Sequence, residues 1–212
     1  MKNKKYILFD NDGVLVETEM WYYEANVKTL KELGYELPFE RYMRMMAEGR
    51  TTWEDPIADG YSEAEILKFR SIRDSYYQEF LKTKDIEIEG VEEILAELSK
   101  SFKMAIVTTS RRVDFELIHN SRGIVKYMDF VLCEEDYPRA KPFPDPYLKA
   151  VELFGCSKDE AVVVEDSERG LTAAVRAGID CITVYNEFTK THNFSGAHTR
   201  IESLEELLRI FK

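Results

Sequence analysis

The chain has 212 residues, enough to bury a sizeable core without disulfide or metal staples, and its length suits one medium domain or a core domain carrying a small insert. A formal net charge of −11 excludes a broad basic surface, and with it nucleic acid as the expected partner. Cys133, Cys156 and Cys181 are odd in number and show no C-x-x-C pattern, and His119, His192 and His198 show no H-x-x-x-H pattern. Neither a disulfide framework nor a zinc site is therefore expected, and reduced thiols point to the cytoplasm.

In chain order, Lys2, Lys4 and Lys5 precede a four-residue apolar run, Tyr6–Phe9, too short for a signal peptide or a membrane span and read as a first strand. Asp10-Asn11-Asp12-Gly13 follows. Residues 16–85 then show helical periodicity and no convincing strand, too long for one crossover helix. A first helix over about Glu17 to Leu33 ends before Gly34. Gly49 and Asp59-Gly60 mark turns. Ser62 and Glu65 form a capping box that opens another helix, whose stripe Ile66, Phe69, Ile72, Tyr76 and Phe80 is expected to be its apolar face. The Met43-x-Met45-Met46 cluster reads as core of this insert. Trp21, Tyr22, Arg50 and Trp53 are candidates for a substrate pocket, against ordinary packing or a solvated face.

Beyond the insert, Met104–Val107, Phe130–Leu132, Ala161–Val164 and Cys181–Val184 are short, β-rich and apolar throughout, as expected for parallel strands covered by helices on both faces. Asp145-Pro146 is expected to open a helix, with Asp145 as its N-cap. Ser157 and Glu160 have capping-box spacing but precede a strand, so they are expected to form a turn, whereas Ser203 and Glu206 match a helix start. Alternation of this kind predicts an α/β fold with a parallel sheet.

In such a sheet the residues just past each strand line the ligand site. Here they are Asp10 and Asp12, Thr108-Thr109-Ser110, the loop holding Lys141-Pro142, and Glu165-Asp166-Ser167. Four carboxylates gathered on one rim repel, at roughly 4 kcal/mol per pair of charges about 4 Å apart. A cation must sit among them, and an all-oxygen donor set suits Mg²⁺. A lysine beside a carboxylate nucleophile suits attack on an anionic phosphoryl group. On an extended segment Asp10 and Asp12 point the same way, so one can attack while the other transfers a proton.

Asp10-x-Asp12-Gly13-Val14-Leu15, Thr108 after a strand, Lys141-Pro142 and Glu165-Asp166-Ser167 resemble, in order, the four signature motifs of the haloacid dehalogenase superfamily. The match spans essentially the whole chain, and the insert looks like the cap of the β-phosphoglucomutase and phosphoglycolate phosphatase branch. The resemblance implies a Rossmann-like core over residues 1–15 and 86–212 and an all-helical cap domain over 16–85. It implies Asp10 as nucleophile, Asp12 as acid/base, and Thr108 and Lys141 as phosphate holders. Mg²⁺ would be bound by Asp10, the Asp12 carbonyl and Asp166, with Glu165 as a ligand or support. Arg169 and Gly170 continue the resemblance, and Arg111 and Arg112 are candidates for phosphate recognition against a solvated helix start.

The expected activity is hydrolysis of a small phosphorylated metabolite such as a sugar phosphate. Dehalogenation is disfavoured by Asp12 and the carboxylate metal site, and a non-enzymatic binding module by so repulsive a cluster. The closer rival is a phosphosugar mutase. In the family, mutases carry a cap histidine four residues beyond a threonine; Thr18 is present here, but the aligned position is Tyr22.

Overall fold

The structure, a computed structural model, describes residue 1 and residues 3–211, so Lys2 of the N-terminal lysine cluster lies outside it. The chain divides into two compact units, one formed by Met1–Glu17 with Glu87–Lys212 and the other by Thr18–Ile86.

The first unit is built on six parallel strands: β1 (Tyr6–Phe9), β2 (Lys103–Val107), β3 (Phe130–Leu132), β4 (Ala161–Glu165), β5 (Asp180–Val184) and β6 (Thr199–Ile201), in the order β3-β2-β1-β4-β5-β6. Beta4 is buried at every residue, and β1 and β2 are buried after their first residues, because side chains of both parities are covered. On one face Leu8, Ala105, Val107 and Val163 pack with Tyr147, Ala150 and Leu171. Those three come from α7 (Asp145–Phe154) and α8 (Glu168–Ala177), while α5 (Val91–Leu98) and α6 (Arg112–His119) bury apolar residues of their own and α9 (Leu207–Ile210) follows β6. Beta6 is the strand that periodicity misses. It has three residues, sits at the sheet edge, and buries only Ile201 among Thr199, Arg200 and Ile201, so it carries no apolar run.

One helix start differs from expectation and one short turn agrees with it. Asp145 is the first residue of α7 rather than its cap: Pro144 takes the N-cap position, and the Asp145 carboxylate accepts from Arg139 Nε and Nη2 at 3.0 and 2.9 Å. Ser157 and Glu160 do make a reciprocal capping box, closed over a single 3₁₀ turn before β4.

The second unit is all helical: α1 (Glu19–Glu32), α2 (Phe39–Ala47), α3 (Glu54–Ala58) and α4 (Glu63–Thr83). Ser62 and Glu65 cap α4 reciprocally as the sequence predicts. Gly49 and Gly60 occupy turns at positive φ, a conformation that costs a residue with a Cβ more than it costs glycine. The buried stripe of α4 is Ile66, Arg73, Tyr77 and Leu81, rotated from the expected one, and Phe69, Ile72, Tyr76 and Phe80 are half-buried at its flanks. Arg73 can occupy the buried face because its Nε reaches Asp74 Oδ1 at 2.7 Å and its guanidinium lies over the Tyr22 ring, with Nη1 bonded to the Tyr22 hydroxyl. Trp53 is 2% exposed and stacks on Phe69, and Met45 is buried, so both are core. Arg50 is paired with Glu48 and Glu54 at the surface, and the Trp21 indole donates to the Asp85 carbonyl. Among the described residues no helix is long and apolar enough to cross a membrane.

Candidate active site

The strand order reverses direction between β1 and β4, and in open parallel sheets ligands bind in the crevice at that point, beyond the carboxyl ends of the strands. Asp10 follows β1 there, and its backbone N–H continues the ladder to the Val164 carbonyl at 2.9 Å. Glu165 ends β4 and Asp166 follows it. Asp10, Glu165 and Asp166 each present an oxygen, all within 4.8 Å of one another.

Lys141, 5% exposed, enters this group from the loop before α7. Its ammonium donates to Asp10 Oδ1 at 2.8 Å, Glu165 Oε1 at 2.7 Å and the Val107 carbonyl at 2.8 Å, which uses all three of its protons. Glu165 Oε1 also accepts from the Tyr147 hydroxyl at 2.7 Å. Its Oε2 takes the Asp166 and Ser167 N–H groups at 3.2 and 3.3 Å and the Ser167 hydroxyl at 3.0 Å. Both oxygens of this fully buried carboxylate are therefore engaged by protein donors.

The electrostatics follow from that crowding. Burial pushes the Asp10 carboxyl up to about 7, the Glu165 charge pushes the same way, and Lys141 opposes both. Glu165 is penalised by burial, yet Lys141 and the Tyr147 and Ser167 donors hold it below its ordinary value. Burial alone would lower Lys141, but Asp10 and Glu165 outweigh it and hold the ammonium above its ordinary value.

Asp12 is held differently. Its Oδ2 accepts from the Ser110 hydroxyl at 2.7 Å and the Thr108 hydroxyl at 3.2 Å. Thr108 is itself fully buried, its oxygen capping the Ser110 N–H at 3.0 Å and its carbonyl taking the Tyr137 hydroxyl at 2.6 Å. Gly13 stands beyond, at φ +78°, and a Cβ there would lie 2.2 Å from Asp166 Oδ2. The glycine is needed for close approach as well as for the turn. Gly170 has a like role, since its α-carbon faces the Glu165 carboxylate so closely that a Cβ would fall 1.8 Å from Glu165 Cδ.

The predicted residues thus fall into two groups, Asp10 with Lys141, Glu165 and Asp166, and Asp12 with Thr108. Arg111 and Arg112 are directed elsewhere: Arg111 pairs with Asp114 and Arg112 with Asp136, both at the start of α6. Sequence reasoning passed over Tyr147, and also Asn186, which is buried after β5 and donates to the Gly13 carbonyl at 3.3 Å. Inspection of the residues past β5 would have found Asn186; a tyrosine one turn into a helix carries no such signal.

The donor set fits a hard divalent cation: it is all oxygen, strongly anionic, and contains a carboxyl whose ionisation the surroundings resist. Comparison with known proteins agrees with the geometry. PpaX of Caldanaerobacter subterraneus subsp. tengcongensis is 31% identical over 183 residues, covering 84% of this chain and 80% of that protein. A phosphoglycolate phosphatase of Aquifex aeolicus is 28% identical over 82% of this chain and 81% of its own length. Among solved structures, CbbY from Rhodobacter sphaeroides in complex with phosphate superposes with a TM-score of 0.81 at 25% identity, covering 96% of each chain. The sequence profile described as haloacid dehalogenase-like hydrolase matches residues 7–184, most of the chain, and the chain belongs to that family.

Proposed function

We propose that this hydrolase is a magnesium-dependent phosphatase of a small phosphorylated metabolite, acting in the cytoplasm through a phosphoaspartate on Asp10, with residues 18–86 as the cap that selects the substrate. The observation that carries the reading is the Lys141 ammonium, buried between Asp10 Oδ1 and Glu165 Oε1 at 2.8 and 2.7 Å. A carboxylate attacks a phosphoryl dianion only where positive charge offsets the approach, and this lysine is held against the attacking group itself.

In the first step an Asp10 oxygen forms a bond to phosphorus as the ester P–O bond breaks, and Asp12 gives its proton to the departing alkoxide. In the second, Asp12 takes a proton from the water that attacks the phosphoaspartate, and inorganic phosphate leaves with the Asp10 carboxylate restored. Thr108 and Lys141 are the groups that would hold the phosphoryl oxygens, each by exchanging one of its present acceptors for them. Asp10, Asp166 and the Asp12 carbonyl would hold Mg²⁺, which supplies positive charge that offsets the phosphoryl group's own. Glu165 is left as the support of Lys141, since its oxygens already accept from protein donors. The relative named a phosphoglycolate phosphatase and the phosphate-bound CbbY structure support a small phosphorylated substrate. Tyr22 supports hydrolysis over a mutase reaction: it stands where the mutases carry histidine, and its hydroxyl is bonded to Arg73 within the helical unit.

The test is phosphate release from a panel of phosphomonoesters, with Mg²⁺ and then with excess chelator, for the wild type and Asp10→Asn. Release that needs both Mg²⁺ and Asp10 is expected. Multiple turnover by Asp10→Asn would overturn the assignment of the nucleophile, and silence across the panel would favour the mutase, to be tried next with a sugar 1-phosphate and its bisphosphate.

A further inference from the structure

Between the two aspartates lies Asn11, fully buried, whose side chain the mechanism does not use. Its backbone carbonyl receives the N–H groups of Val14, Leu15 and Val16 at 3.3, 2.8 and 3.2 Å, so the loop that carries both carboxylates is wound around this one residue. Its side chain runs from Asp12 to a histidine. Asn11 Nδ2 lies 3.3 Å from Asp12 Oδ2, and Asn11 Oδ1 lies 2.7 Å from His119 Nε2. His119 ends α6, is 8% exposed, and is packed against Phe115 one turn earlier with ring centroids 4.4 Å apart.

The polarity of this chain is set from its anionic end. A carboxylate oxygen can only accept, so the amide nitrogen of Asn11 must face Asp12 and its oxygen must face His119. His119 Nε2 then carries the proton and donates. The other ring nitrogen, Nδ1, is buried with no partner among the described residues, so the imidazole makes no competing bond. The Ser110 and Thr108 hydroxyls that also meet Asp12 Oδ2 can rotate and exchange donor for acceptor; the Asn11 amide N–H cannot. It is the one fixed donor of the three, and its own orientation is held by His119.

We propose that His119 and Asn11 form a positioning pair that aims Asp12 for proton transfer to the leaving group. The inference rests on the reading of Asp12 as the acid/base, and it adds two residues that touch neither substrate nor metal. With Oδ2 held as an acceptor, the proton that Asp12 delivers is carried on Oδ1, and loss of the His119 donor lets the amide turn and the carboxyl swing.

The test exploits leaving-group basicity. The kcat/KM value reports steps up to departure of the leaving group, and a weakly basic phenolate needs no proton to depart. Along a series from phenyl through p-nitrophenyl to dinitrophenyl phosphate, Asp12→Asn serves as the reference and should lose about a hundredfold on phenyl phosphate and far less on the dinitrophenyl ester. His119→Met, which fills the space without a donor, should show the same slope at smaller size, about tenfold on phenyl phosphate and under about threefold on dinitrophenyl phosphate. His119→Gln, whose amide can donate from a similar position, should recover most of the loss. Equal losses across the series for His119→Met, or no loss, would overturn the pair while leaving Asp12 as it stands. A flat series for Asp12→Asn would instead remove the acid/base assignment and the pair with it. Should His119→Met fail to fold, Asn11→Leu is read in the same way.

Discussion

Asp10 and Asp12 are two residues apart and are held by opposite kinds of neighbour. Asp10 faces a buried ammonium and two further carboxylates in a nearly closed site, whereas Asp12, half-buried, leans on two hydroxyls and an amide. The difference matches the two tasks. A nucleophile that approaches a phosphoryl dianion needs full compensating charge, and a group that must both give and take a proton is better oriented by neutral donors, which align it without adding a charge of their own. The two ends should therefore respond differently to perturbation.

Removing the charge from the Asp10 end should have the largest effect. Lys141→Met leaves Asp10 and Glu165 facing each other without their shared partner, and breaking a buried pair by taking away one member costs about 3–5 kcal/mol. Urea denaturation should show that loss, and kcat/KM should fall by a factor of about 100 to 1,000 on every substrate, whatever its leaving group. Preserved stability would mean that the two carboxylates do not depend on Lys141.

The same end should be sensitive to pH and to metal. Asp10 is raised from 3.8 to about 7 in the folded protein, so the fold favours its neutral form. The sign follows: stability from this group is fully present below about pH 4, is lost as pH rises toward 7, and stays lost above it. Mg²⁺ favours the ionised carboxyl and should attenuate the loss. The rise in unfolding midpoint on adding Mg²⁺ should accordingly be larger at pH 8 than at pH 5, and Asp10→Asn should remove most of that difference. Equal stabilisation at both pH values would place the cation away from Asp10.

A smaller disturbance reaches the Asp10 end indirectly. In Gly170→Ala the new Cβ would meet Glu165 Cδ at 1.8 Å, so the carboxylate must shift and loosen its hold on Lys141. Overpacking of this kind costs about 1–3 kcal/mol, and a misplaced lysine about tenfold in kcat/KM. The pH dependence of the Asp12-mediated steps should be unchanged, because the three atoms nearest to a Cβ at Gly170 all belong to Glu165.

How much of this was legible in the sequence depends on whether local pattern or tertiary partnership decides the residue. Strands β1 to β5 announce themselves as apolar runs because helices cover both faces, and the rule that ligands gather past strand ends then delivers Asp10, Asp12, Thr108, Lys141, Glu165 and Asp166. Beta6 is too short and too polar to show. In the helical unit the pattern misplaced the buried face of α4, because Arg73 reads as a surface residue until Tyr22 and Asp74 are brought beside it. The Asn11–His119 contact spans 108 residues between a motif's variable position and the end of a helix, and no periodicity encodes it.

Tyr147→Phe is the mildest change and separates two readings of Glu165. The substitution keeps the ring that packs beneath the sheet and removes only the hydroxyl that donates to Glu165 Oε1 at 2.7 Å. A hydrogen bond to a charged acceptor is worth about 1.5–3 kcal/mol, and here Lys141 and the Ser167 and backbone donors remain, so a loss near the lower end is expected in urea denaturation. If Glu165 only supports the lysine, the Mg²⁺ concentration for half-maximal activity should stay within about twofold of the wild type and kcat should fall by less than about threefold. Were Glu165 a metal ligand, freeing Oε1 from a competing donor should strengthen Mg²⁺ binding, and a clear drop in that half-maximal concentration would move Glu165 from the support of Lys141 into the metal site.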